Sequence, residues 1–140
     1  RNIQLLTPPE ATQPTLSAEI PLLGTIAAGL PIEAIPDAQP INLMELFMGD
    51  KRFALKVKGD SMVDEGILDG DIVICEMTAT AVNGQIVVAL IDQQEVTLKR
   101  FHQDDSQITL IPSNHSMQPL SYAAERVTIQ GLFIGLLRVQ

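Results

Sequence analysis

Short apolar runs rich in β-branched residues, cut at close intervals by Gly, Pro, Asn and Asp, constrain this 140-residue chain more than any other feature. Ile72–Cys75 and Ile86–Ile91 are short and bounded by turn residues, which predicts two buried strands. Phe53–Val57 alternates, so that Phe53, Leu55 and Val57 share one face of a third strand. Asp92-Gln93-Gln94 makes a tight connection from Ile86–Ile91 to a strand over Glu95–Phe101. Further strands are expected at Ile108–Ile111, Arg126–Gln130 and Leu132–Val139, and Ile20–Ala27 is expected to be extended. Only the stretch from Asn42 to Phe47 suggests helix, one or two turns capped by Asn42 and stopped by Gly49. Neither an internal repeat nor a long amphipathic helix is visible. The pattern predicts an all-β (mostly β) domain folded back on itself.

Residues 7–19 are rich in Pro and Thr and poor in large apolar groups, the composition of an interdomain linker. The globular domain is therefore expected over residues 20–140. The net charge is -8. Affinity for nucleic acid comes largely from Lys and Arg neutralising phosphates, so this chain is not expected to bind DNA by itself. The one cysteine, Cys75, lies in an apolar run and reads as a buried, inert thiol, with no disulfide framework; a cytoplasmic protein fits best. No apolar stretch reaches the roughly 18–20 residues of a membrane span. The start, Arg1-Asn2-Ile3, is neither an initiator methionine nor a signal peptide, and the chain reads as a piece of a longer protein.

Gly59-Asp60-Ser61-Met62 and Lys99 carry the chemistry. A serine hydroxyl is a poor nucleophile unless a base stands within hydrogen-bond reach, and a neutral lysine can be that base. Burial among apolar neighbours lowers a lysine's pKa by penalising the ammonium form. Lys99 lies on a strand with Val96 and Leu98 beside it and shares a face with Thr97 and Phe101. Gly59 allows a tight strand-to-turn path that projects Ser61, and backbone N–H groups of that turn are candidates for an oxyanion hole. Taken alone, Gly-Asp-Ser is a common turn, and a lone strand lysine is usually solvated. Asp64, Glu65, Asp69 and Asp71 lack calcium-loop spacing and read as turn formers on a solvated face. His102 and His115 have no ligand-spaced partner and read as surface residues; Ser113–Ser116 reads as an ordinary loop. No metal site, phosphate cradle or dinucleotide fingerprint is present, and no cofactor is expected.

The serine block, the lysine strand and the small residues Ala27-Ala28-Gly29 together resemble the C-terminal domain of the LexA repressor family, self-cleaving Ser-Lys peptidases of the peptidase S24 type. The resemblance covers nearly the whole chain. Gly24–Pro31 resembles the family's cleavage region, Lys58–Asp71 its nucleophile block, and Asn83–Ala89 with Glu95–Arg100 its base-bearing hairpin. Gly131–Arg138 resembles the C-terminal strand, and Arg1–Leu6 the end of the winged-helix DNA-binding domain.

The resemblance implies a compact LexA/signal-peptidase-like β domain of short, strongly bent strands with one or two short helical turns. It implies Ser61 as nucleophile, Lys99 as general base, the amides of Asp60 and Ser61 as oxyanion donors, and a cut between Ala28 and Gly29. It also implies a homodimer formed through the C-terminal strand and activation by the RecA filament on single-stranded DNA. Operator DNA would be bound only through the missing N-terminal domain, of which residues 1–6 are a remnant, in a DNA-damage (SOS) response in the bacterial cytoplasm. Leu30 departs from the family, where a polar residue commonly follows the scissile glycine. The rivals are a self-cleaving translesion-polymerase accessory subunit, a signal-peptidase-type enzyme acting in trans, and a non-catalytic dimerisation module; a phage repressor with the same peptidase half is a near neighbour.

Overall fold

The short strands that the residue pattern predicts find their partners through antiparallel pairing throughout. The computed structural model describes residues 18–140. The expected wing remnant 1–6 and most of the expected linker 7–19 lie outside the described residues. The described chain falls into two units, residues 18–48 and Gly49–Gln140.

The first unit is made of short pieces. β1 (Glu19–Ile20) pairs antiparallel with β4 (Ile41–Asn42), and β2 (Gly24–Thr25) with β3 (Glu33–Ala34). A Cβ on Gly24 would stand 2.5 Å from the Glu33 carbonyl oxygen, so the close approach of β2 to β3 requires glycine there. α1 (Leu43–Phe47) starts at Asn42, whose side-chain oxygen accepts from the Met44 and Glu45 amides at 2.9 and 3.2 Å. That is the expected cap; the helix stops at Met48, one residue before the glycine expected to end it. The stretch expected to be extended over Ile20–Ala27 is broken into β1, β2 and intervening chain.

The second unit is a seven-stranded antiparallel sheet. Its strands are β5 (Arg52–Lys56), β6 (Ile72–Met77), β7 (Ile86–Ile91), β8 (Glu95–Asp104), β9 (Gln107–Ile111), β10 (Leu120–Ala123) and β11 (Val127–Leu137), in the spatial order β10-β9-β8-β7-β11-β6-β5. Single 3-10 turns lie at Val63–Glu65 and Ala124–Arg126. The protein is predominantly β, as the residue pattern predicts. β10 was not expected from sequence; Leu-Ser-Tyr-Ala is short, and as an edge strand it has little burial to demand an apolar pattern. The two strands expected at Arg126–Gln130 and Leu132–Val139 are one. Gly131 does not break the strand but lies where its register shifts against β7, and a second shift against β6 falls between Phe133 and Gly135. Such bulges bend a strand without ending it, so β11 can pair with β6 and β7 at once.

Alternation along β7 separates two apolar clusters. Val87, Ala89 and Ile91 face Phe101, Ile108, Leu110, Val127 and Ile129, while Val88 packs with Val73, Cys75, Met62 and Ile67. The hairpin between β7 and β8 is tight because Asp92 and Gln93 both take positive φ, 53° and 60°, the handedness that matches strand twist. Arg126 holds the Asp92 carboxylate through two bonds of 2.8 and 2.7 Å. This turn fixes the β7–β8 register, which sets Lys99 opposite Val87 and Thr97 opposite Ala89.

A Cβ at Gly131 would lie 2.7 Å from Phe53 Cζ and 2.9 Å from the Glu76 carbonyl oxygen. Gly131→Ala is expected to destabilise the second unit by about 1–3 kcal/mol, the usual cost of overpacking, measured as a lower denaturant midpoint at unchanged slope.

Candidate functional site

Residues 57–71 leave β5 and return to β6 as a loop closed at its base. The Val57 amide donates to the Asp71 carbonyl and the Gly70 amide to the Val57 carbonyl, each at 2.8 Å. Two apolar side chains nail the loop to the sheet: Met62 is 2% exposed and Ile67 1%. Gly59 takes φ 94°, the left-handed region that the expected tight turn needs. The Asp69 carboxylate accepts from the Gly59 amide at 2.6 Å. With Met62 directed inward, the preceding Ser61 is left half-buried at the wall of a cleft.

That cleft, about 370 Å³, is lined by Ser61 and Lys99 together with the apolar side chains Leu55, Val57, Val73 and Leu98. Lys99 Nζ donates to the Thr97 hydroxyl, two residues away on the same strand face. Burial pushes the Lys99 ammonium below its ordinary value of 10.5, opposed by the negative charge of Glu95. The nucleophile and base expected from sequence therefore line one cavity, and the lysine has the environment expected of it. The amides of Asp60 and Ser61 meet no acceptor among the described residues. A second cavity, of about 160 Å³, lies on the other flank of Lys99, against Leu110, Met117 and Tyr122.

Ala28 and Gly29 belong to the first unit. They are the two central residues of a turn between β2 and β3, closed by the Leu30 amide donating to the Ala27 carbonyl at 3.2 Å. Gly29 takes φ 77°, which explains glycine at this position. Both residues are exposed, as are Ile26, Leu30 and Ile32 around them.

The pattern of the peptidase S24-like family matches residues 21–134. The chain belongs to this family. It is 47% identical over 133 residues to the LexA repressor of Zymomonas mobilis, a match covering 94% of this chain and 60% of that protein. Against the LexA repressor of Clostridium novyi it is 46% identical over 141 residues, covering 99% and 68%. Against that of Gluconacetobacter diazotrophicus it is 51% identical over 121 residues, covering 85% and 48%. The chain spans about half to two thirds of the length of these relatives. Self-cleaving serine endopeptidase activity is characteristic of the peptidase S24-like family, and the matched span contains the whole cleft and the Ala28–Gly29 turn.

Among the residues that secure the serine loop, Asp71 and Ser113–Ser116 differ from the sequence reading, while Asp64, Glu65 and Asp69 are exposed as expected. Asp71 does not lie on a solvated face: it is 2% exposed, accepts from the Leu68 amide at 2.8 Å and binds Arg138 through two bonds of 2.7 and 2.6 Å. Arg138 also donates to the Gly66 carbonyl at 2.9 Å. Glu65 is paired with Arg100 at 2.6 Å, joining the serine loop to the strand that carries Lys99. Ser113–Ser116 is likewise more than an ordinary loop, since Ser113 and Asn114 bond directly to the backbone of Ser61 and Asp60. A carboxylate beside glycine, as in Asp69-Gly70-Asp71, was the available signal; its partner's distance in sequence hid the rest. His102 and His115 are exposed, as expected. No cluster of three or more metal-ligating side chains occurs among the described residues, and no helix among them is long and apolar enough to cross a membrane.

The Arg138 hydrogen bond, aided by the Leu68 amide, holds the Asp71 carboxyl down from 3.8 to about 2. A depressed carboxylate pKa contributes stability that is present above pH 3.8 and lost as pH falls through about 2. Arg138→Ala should therefore lower the urea midpoint at pH 7, and the gap from the unaltered chain should narrow as pH falls from 3.8 toward 2.

Proposed function

We propose that this chain is the autoproteolytic and dimerising half of a LexA-type transcriptional repressor, and that it cuts its own Ala28–Gly29 bond. The observation that carries this reading is the shared cleft, in which Ser61 stands with a half-buried lysine of lowered pKa.

In the proposed reaction neutral Lys99 takes the hydroxyl proton of Ser61, and Ser61 Oγ attacks the Ala28 carbonyl carbon. The Asp60 and Ser61 amides receive the oxyanion. As the tetrahedral intermediate collapses, the Ala28–Gly29 bond breaks and the Lys99 ammonium protonates the leaving amine of Gly29. Water, deprotonated by Lys99, then hydrolyses the ester and regenerates the serine. The small side chains of residues 27–29 fit a narrow cleft, and tethering gives an effective concentration of about 10⁵ M or more when the groups are well oriented.

The same reading places the chain in a longer protein of the bacterial cytoplasm. An N-terminal DNA-binding part contacts the operator, and the C-terminal strand joins two copies. Cutting separates those two parts, so each half-site contact loses the linkage that made the pair bind tightly. Activation requires a partner that favours the cleavage loop docked at Ser61; the RecA filament on single-stranded DNA is the activator proposed.

Incubation of the chain from neutral to alkaline pH, followed by intact mass, tests the reading. A single cut between Ala28 and Gly29 is expected, with a rate that rises as Lys99 deprotonates and levels off at a midpoint below 10.5. Ser61→Ala and Lys99→Ala should each lower the rate by roughly three orders of magnitude or more. A non-catalytic module would give no cut at any pH and no difference for Ser61→Ala. Because Glu95 favours the charged lysine, Glu95→Gln should shift the rate midpoint further down.

A further inference from the structure

The turn that presents Ser61 is held from outside by a loop that the proposed chemistry does not use. Pro112 is buried at its root, and Ser113 and Asn114 are half-buried against the turn. The Ser113 amide donates to the Ser61 carbonyl at 2.8 Å, and the Ser113 carbonyl accepts from the Asp64 amide at 2.7 Å. The Asp64 carboxylate in turn accepts from the His115 amide at 2.8 Å. Asn114 Nδ2 donates to the Asp60 carbonyl at 2.9 Å, and its Oδ1 accepts from the Ser116 amide at 2.8 Å. Since the side-chain oxygen already has a donor, the nitrogen must be the atom that faces the carbonyl.

A trans peptide is planar, so its C=O and N–H point in opposite directions. The carbonyl of Asp60 and the N–H of Ser61 belong to one peptide. Whatever fixes the carbonyl aims the amide. The carbonyl also accepts the turn's own bond from the Val63 amide at 3.2 Å, so Asn114 supplies the shorter of its two anchors. The next peptide, from Ser61 to Met62, is fixed by Ser113. Two consecutive peptides at the nucleophile are thus tied to one loop, while the Ser61 N–H has no acceptor among the described residues.

Resting on the proposed self-cleavage, we infer that Asn114 is a positioning residue for the oxyanion site, acting through the Asp60–Ser61 peptide. Oxyanion donors work because they stand aimed before charge develops, and small misplacements are costly. Asn114 touches neither substrate nor reacting atoms. Aspartate in its place would keep the Ser116 contact, lose the donor and set a negative charge against the Asp60 carbonyl. The chemistry therefore calls for an amide side chain at this position.

The test measures self-cleavage of the full chain, Asn114→Ala and Asn114→Asp over neutral to alkaline pH, with thermal melting of each. The expected result is a plateau rate about 10- to 100-fold lower in both variants, the pH midpoint of Asn114→Ala unchanged, and both chains folded at the assay temperature. An unchanged plateau would overturn the inference. So would a displaced midpoint in Asn114→Ala, which would mean an action through Lys99, or a loss of rate that merely follows the unfolded fraction. If the unaltered chain does not cut at any pH, the reading of the whole site fails and this inference falls with it; if it cuts and only the Asn114 inference fails, the Ser61–Lys99 reading stands.

Discussion

A hydroxyl keeps a fixed place on a cleft wall only if the backbone that carries it cannot relax, and the closed loop from Val57 to Asp71 supplies that constraint for Ser61. Its ends are joined by two backbone hydrogen bonds, its middle is pinned by Met62 and Ile67, and the Asp69 and Asp71 carboxylates accept from amides of the same loop. Asp71 is the buried member of its pair, 2% exposed, while the Arg138 side chain stays about half exposed. A buried charge without a partner is strongly unfavourable, so Arg138, near the end of β11, is bound to a loop 67 residues earlier in sequence. The long strand that organises the sheet thereby also fixes the serine loop.

The lysine is prepared by different means. Its strand is held in register by the Asp92–Gln93 hairpin turn, and that register sets it beside Val87, which is fully buried. Desolvation then outweighs the pull of Glu95. Neither effect is strong at long range; each works because antiparallel pairing fixes which residues face each other. The two halves of the site come from distant parts of the chain, and the Glu65–Arg100 bridge ties one to the other.

Much of this was legible in the residues. Short apolar runs marked β7 to the residue and the starts of β6 and β8, which continue past the expected ends to Met77 and Asp104, and Asn42 announced its helix. The cleft that Ser61 and Lys99 share had local signs: a glycine that permits the turn, and apolar neighbours on a strand. What was not legible depends on partners far away in sequence. Asp71 looked like a solvated turn residue because nothing near it hints at Arg138. Gly131 looked like a strand break because a bulge and a break present the same glycine. Ser113 and Asn114 looked like an ordinary loop because their bonds end on backbone carbonyls of the serine turn, which leave no complementary side-chain pattern in the sequence.

Two sulfur atoms pack beneath the serine loop, and their position has a chemical consequence. The Cys75 thiol is fully buried and pushed up to about 11 by that burial, while Met62 is 2% exposed. Thiol oxidation proceeds through the thiolate and needs access; Cys75 offers almost no thiolate at neutral pH and no path to it. Methionine sulfoxide at Met62 would place a polar group in an apolar cluster, but the same burial keeps peroxide away from it. The sulfur under Ser61 is therefore shielded from oxidants while the fold is intact, and neither atom can act as a redox trigger for the serine above it.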